Sequence, residues 1–378
     1  MRKPYWILFM AAALLVFGFG RYDGWRDALA AAGMPEADAA AAPLTPERLE
    51  AELAARLPER PDELKLSYAG DPKQLSARLP QLIRGALDGH DDIAYILDKF
   101  YYTIRTRDGV SVIDISLKYR ETKAQSAEVE RQAAAALQSL IAPQMNDHEK
   151  VKAIHDWIVR RLAYDESLRH YTAYEALDSG FAVCQGYALL AYKMLTMAGI
   201  EAKIAEGAVD TGEHVWNMVR LDGRWYHLDV TWDDPLPDRG DAVSYRYYLL
   251  TDAEMRRDHR WERSYPEAPA EYREALADLA AQGGEAGERF AALEREIGLI
   301  WLKPERTASS AAELRDRIAA AMREGGESLR IRYADGGAAT RDLKAAFAGL
   351  DGYRSYRAKF EPYRGDGSVL VDISWELQ

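Results

Sequence analysis

A length of 378 residues allows two or three packed units, and 48% hydrophobic with 29% charged residues excludes a disordered chain. The formal net charge of −12, without any local cluster of Lys and Arg interleaved with aromatics, excludes a phosphate backbone as partner, so no nucleic acid is expected. A single cysteine excludes an internal disulfide and leaves three readings for Cys184: an inert buried thiol, an intermolecular bridge, or a nucleophile.

At the start of the chain, Arg2 and Lys3 precede an uncharged apolar run from Tyr5 to Gly20, ended by Arg21. Its length falls between the core of a signal peptide and a comfortable membrane span, so residues 1–20 read as a signal peptide or membrane anchor. The leading positive charges favour export of the chain beyond Arg21. The expectation is a membrane-anchored protein with an extracytoplasmic domain, or a protein secreted after signal cleavage. Residues 21–45, rich in Ala with Pro35 and Pro43, read as a linker.

A repeat comes next. Leu49, Leu53 and Leu57, followed by Leu64, Leu66, Tyr68 and Ala69, recur as Leu314, Ile318 and Met322, followed by Leu329, Ile331, Tyr333 and Ala334. Spacing by four and then by two predicts a helix leading into a strand in both copies. After a second helical stretch, Asp108 and Gly109 with the run Val112 to Ser116 reappear as Asp366 and Gly367 with Leu370 to Ser374, each Asp-Gly pair predicting a hairpin turn. Residues 46–122 and 306–378 therefore read as two small α-β-α-β-β modules. Packing is their ordinary role, with grip on a cell-wall polymer or a partner protein as the functional alternative.

The central region, residues 123–270, holds the only cysteine and most of the histidines. Asn146 and Asp147 can cap a helix running to about Leu162, with Val151, Ile154, Ile158 and Leu162 on one apolar face. His155 lies off that stripe and reads as a solvated surface residue. The run Leu189, Ala191, Tyr192 and Leu195, stopping at Gly199, predicts a helix that starts near Cys184. There the unpaired amides and the helix dipole favour the thiolate, which strengthens the nucleophile reading, and Gly186 and Ala188 keep the first turn open.

His214 begins a strand through Val215, Trp216, Asn217, Met218 and Val219, which reverses at Asp222 and Gly223 into Trp225, Tyr226, His227, Leu228, Asp229 and Val230. A two-residue turn there sets Trp216 opposite Asp229 and His214 opposite Thr231. His214 and Asp229 then become diagonal neighbours on one face, roughly 7 Å apart at the backbone and within reach of each other. Such a carboxylate holds an imidazole in one tautomer. His227 shares the face and competes for the base role, while Asp233 and Asp234, just before Pro235, read as loop residues. Residues 271–305 read as a connector of two helices broken at Gly283 and Gly284.

The segments GFAVCQGYA and EHVWNMVRLDGRWYHLDVTWDDP resemble the transglutaminase-like superfamily, in particular its exported bacterial members, over roughly 110 residues from Val151 to near His259. The resemblance implies an α+β fold, with a papain-like transglutaminase-type core between the two modules. It also implies Cys184 as nucleophile, His214 as general base and acid, and Asp229 as the orienting carboxylate. The implied activity is acyl transfer on glutamine carboxamide or peptide amide groups through a Cys184 thioester, on a protein or cell-wall peptide substrate. A cysteine peptidase or amidase of the same fold, or a catalytically inactive cell-surface binding module, are the alternatives. For the second oxyanion donor, Tyr164 and Gln185 are both candidates. No cofactor or metal is expected, because no acidic loop has the ligand spacing of a calcium site.

Overall fold

The structure, a computed structural model, describes residues 42–236 and 242–377. The segment 1–20 and the linker as far as residue 41 lie outside the described residues. Among the described residues no helix is long and apolar enough to cross a membrane. Two compact units emerge, one formed by the residues up to Ser139 with Asp165–Met197, the other by Leu140–Tyr164 with the residues from Ala198 onward. The central region 123–270 contributes to both.

In the first unit, Thr45 accepts a hydrogen bond from the Arg48 amide and caps α1 (Pro46–Arg56), while Asp71 does the same for Lys73 at the start of α2 (Pro72–Gly85). Between and after them run β1 (Glu63–Tyr68), β2 (Leu97–Arg107) and β3 (Val110–Tyr119), in the antiparallel order β1-β3-β2. Leu49, Leu53 and Leu57 of the first helical stretch and Leu75, Leu79 and Ile83 of α2 bury against Leu64, Leu66, Ile104, Ile113, Ile115 and Leu117 of the sheet. Asp108 and Gly109 both take positive φ (51° and 79°), the turn whose twist matches the flanking strands. Leu44, at the end of the expected linker, pairs with Tyr68 in parallel and extends the sheet.

The same unit contains α3 (Lys123–Leu140), α5 (Ala173–Ser179) and α6 (Cys184–Met197). Three side-chain contacts fasten α6: the Gln185 amide donates to the Tyr95 carbonyl at 2.6 Å, and Lys193 bonds Asp92 at 2.9 Å and Glu130 at 3.2 Å.

The second unit begins with α4 (Asp147–Arg161), whose Asn146 and Glu149 form a reciprocal capping box. Its sheet contains β4 (Ala202–Val209), β5 (Gly212–Leu221), β6 (Arg224–Leu228) and β7 (Tyr248–Leu250) in that order, all antiparallel. A single helical turn, α7 (Val230–Asp233), comes directly after β6. The connector forms α8 (Tyr272–Ala281) and α9 (Gly284–Glu296), separated where Gly283 and Gly284 take positive φ.

Last come α10 (Ala311–Arg323), β8 (Ser328–Tyr333), α11 (Ala339–Ala348), β9 (Tyr353–Tyr363) and β10 (Ser368–Leu377). Strands β8 and β10 pair Ser328 with Ser374 and Tyr333 with Val369, as β1 and β3 pair Glu63 with Ser116 and Tyr68 with Ser111. Ala308 pairs in parallel with Tyr333, as Leu44 does with Tyr68. The β9–β10 turn differs from its counterpart: Tyr363 faces Ser368, so Asp366 and Gly367 are only the second half of a four-residue turn that begins with Arg364 at φ 45°. The Arg364 guanidinium donates to the Tyr245 carbonyl at 2.8 Å, which offsets the strained backbone with a charged hydrogen bond.

Candidate active site

Cys184 is a free, half-buried thiol on the first residue of α6. The turn before it is fixed by backbone bonds: the Val183 amide donates to the His170 carbonyl at 2.9 Å, and the Val183 carbonyl accepts from Gly186 at 2.9 Å and Tyr187 at 3.2 Å. Asp165 organises the loop that receives it, accepting from the Ser167, Arg169 and His170 amides and from His170 Nδ1. Gly186 has no room for a side chain, since a Cβ there would lie 2.8 Å from Ala182 Cβ and 3.3 Å from the Thr172 carbonyl oxygen. Gly186→Ala is therefore expected to cost about 1–3 kcal/mol, and to slow alkylation of Cys184 by shifting the first turn. Urea unfolding and iodoacetamide kinetics on the same variant check both. Gln185, one of the two candidate oxyanion donors, commits an amide hydrogen to Tyr95.

In the second unit the β5–β6 hairpin has the expected turn at Asp222 and Gly223, with Leu221 facing Arg224 and Asn217 facing Leu228. The strand expected to run on through Asp229 and Val230 does not do so. The strand stops at Leu228, and Asp229 instead caps α7, its Oδ1 accepting from the amides of Thr231 at 3.1 Å and Trp232 at 3.2 Å. A short polar side chain that satisfies exposed helix amides is favoured in that position, so capping outcompetes a further strand residue. The register still delivers the pair: His214 Nε2 lies 2.6 Å from Asp229 Oδ2, and both side chains are buried. Burial alone would raise the Asp229 carboxyl, but His214 and His259 hold it well below the usual carboxylate range. With Nε2–H donated to Asp229, Nδ1 is the nitrogen of neutral His214 that accepts a proton.

His227, the rival base, is engaged at both ring nitrogens. Trp216 Nε1, which can only donate, bonds its Nδ1 at 2.9 Å, and its Nε2 donates to Asp252 Oδ1 at 2.8 Å. Burial lowers its pKa in spite of Asp252, so it is a neutral structural link.

Two further histidines bear on this arrangement. His155 is not on the surface but wholly buried, with Nδ1 3.0 Å from Asp156 Oδ1 and Nε2 3.2 Å from Asp233 Oδ2. Burial disfavours charge on the ring, yet the two carboxylates raise its pKa. Asp233 is correspondingly no loop residue: it is fully buried at the end of α7, and its Oδ1 also accepts from the Tyr247 amide at 2.8 Å. Asp234 is buried as well. The helical turn that Asp229 opens is thus clamped at its far end by His155.

His259 is the second. Its Nε2 lies 3.2 Å from Asp229 Oδ2 and its Nδ1 2.7 Å from Asp258 Oδ1. A short antiparallel bridge between Ala208 and Arg260 carries it there, and Gly207 permits the approach, because a Cβ at that position would lie 2.2 Å from the Arg260 carbonyl oxygen. No sequence signal marks His259, which is thirty positions beyond Asp229, past α7, β7 and a further helical turn at Asp252–Met255.

Residues 134–230 match the family model of the transglutaminase-like superfamily, a span that contains Cys184, His214 and Asp229 and ends before His259. Kyphoscoliosis peptidase of Mus musculus is 29% identical over 128 residues, 28% of this chain and 19% of that protein. Kyphoscoliosis peptidase of Homo sapiens is 31% identical over 110 residues, 24% of this chain and 17% of that protein. The matched region is thus less than a fifth of the length of these relatives. A solved structure described as a TGase is 14% identical with a TM-score of 0.27, covering 44% of this chain and 50% of that one.

Proposed function

Because residues 134–230 belong to the transglutaminase-like superfamily, we propose that this chain is a thiol enzyme in which Cys184 forms a thioester with substrate and His214, held by Asp229, moves the protons. The observation that carries this reading is the buried 2.6 Å contact between His214 and Asp229, which fixes the tautomer that a base needs. A free cysteine at a helix start, in a chain that has no other cysteine, supports it independently.

In this scheme the Cys184 sulfur attacks the carbonyl carbon of a glutamine carboxamide or peptide amide, its proton passing to His214 Nδ1. The Cys184 amide at the helix start donates to the oxyanion. Collapse of the tetrahedral intermediate breaks the C–N bond, and the same proton leaves on the departing amine. A primary amine then takes the acyl group from sulfur in transfer, or water takes it in hydrolysis. Transfer on proteins or wall peptides outside the cell, close to the membrane, is the reading that joins this site to the apolar N-terminal segment.

Hydrolysis is the second reading, favoured by the peptidase designation of the similar mouse and human proteins. A fluorescent primary amine offered with a glutamine-bearing protein separates the two. Amine incorporation that disappears in Cys184→Ala establishes transfer, and ammonia or new amino termini without incorporation establish hydrolysis. Neither product, together with full biological activity of Cys184→Ala, would leave a binding module and remove both enzymatic readings.

A further inference from the structure

We propose that His214, Asp229 and His259 form a zinc site, and that zinc bound there withholds His214 from proton transfer; the second, regulatory part rests on the proposed thiol-enzyme function. Among the described residues these three form the group of His, Cys, Asp and Glu whose ligand atoms converge, all within 4.8 Å of one another. All three side chains are buried, with exposures of 5%, 0% and 0%. Two imidazole nitrogens and one carboxylate oxygen suit Zn²⁺ better than the oxygen-seeking Ca²⁺ or Mg²⁺, and three protein ligands leave a fourth position for water.

The surroundings are those of a metal site too. The Asp258 carboxylate accepts from His259 Nδ1 at 2.7 Å, which turns Nε2 inward, and the Thr231 and Trp232 amides occupy Asp229 Oδ1, which leaves Oδ2 facing the two rings. Trp216 and Trp232 lie against His259 with ring centroids 5.1 and 4.5 Å away, so the walls are apolar. Zinc and the hydrogen bonds to Asp229 compete for the same nitrogen electron pairs. When a Zn–N bond forms at His214 Nε2, the single proton of the neutral ring moves to Nδ1, so the nitrogen that would take the Cys184 proton is already occupied.

The test uses the full chain, stripped with a chelator and titrated with zinc chloride against a chromophoric zinc indicator, with Cys184 alkylation monitored in parallel. One equivalent bound per chain is expected, retained in Cys184→Ala, weakened by about a hundredfold in His259→Ala and by about tenfold in the outer variant Asp258→Asn. Zinc should slow alkylation of Cys184 in the native chain and leave it unchanged in His259→Ala. No stoichiometric binding, binding unaffected by His259→Ala and Asp258→Asn, or binding lost in Cys184→Ala would overturn the site. Zinc bound as expected in a chain whose Cys184 reacts independently of His214 would overturn the catalytic reading and its regulation, while the metal site itself stands.

Discussion

Asp229→Asn is expected to lower turnover on the order of a thousandfold while the chain still folds. The carboxylate accepts from two amides through Oδ1 and from two imidazoles through Oδ2, four donors on a group that has only acceptors. An asparagine of the same size supplies one accepting and one donating end. Whichever way it turns, its NH₂ meets donors, either the helix amides or the ring N–H groups. If the oxygen keeps the amides, His214 loses the acceptor that set its tautomer; if it keeps the rings, α7 loses its cap. The accompanying loss of stability is about 1–3 kcal/mol, because a buried donor is left without a partner. Amine incorporation or ammonia release, measured beside urea unfolding, separates the two effects. Turnover within a few-fold of the native protein would mean that Asp229 only caps a helix.

The second large effect belongs to His155. His155→Ala is expected to destabilise the chain by about 3–5 kcal/mol, since it leaves the Asp233 carboxylate buried without its charged partner. The sign of the pH dependence comes from the raised pKa of His155. A histidine whose folded value exceeds its unfolded value contributes stability in full below about 6.5, and that contribution fades as pH rises through the folded value. The stability gap between native protein and variant should thus be widest near pH 6 and narrow toward pH 9, read from urea midpoints across that range. A gap that widens with pH would show that His155 is neutral in the folded chain.

The hairpin register is legible in the sequence because a two-residue turn and strict alternation leave one pairing, and Leu221 does face Arg224. The apolar stripes within residues 46–122 and 306–378 are legible for the same kind of reason: spacing by four and then by two places Leu49, Leu53, Leu64 and Leu66 on one core, and Leu314, Ile318 and Ile331 on another. The fate of Asp229 is not, since capping and strand continuation both suit an aspartate after an apolar run, and only the tertiary position of α7 decides. His155 does carry a local signal. It stands four residues after Val151 and three before Ile158, which puts it within the buried face of α4. Its burial depends on Asp156 and Asp233, one adjacent and one far along the chain, and a polar residue in a stripe says nothing about a remote partner. His259 has no such pattern, because a β-bridge over Gly207 brings it to Asp229.

On the proposed scheme, the imidazole that Asp229 holds activates the Cys184 sulfur. Alkylation of Cys184 by iodoacetamide at pH 6–7, read by mass spectrometry in the native chain and in His214→Ala, measures that activation. Activation predicts that the native thiol reacts about tenfold faster or more, and that the advantage vanishes with the imidazole. Equal rates in the two proteins, with both folded, would contradict it.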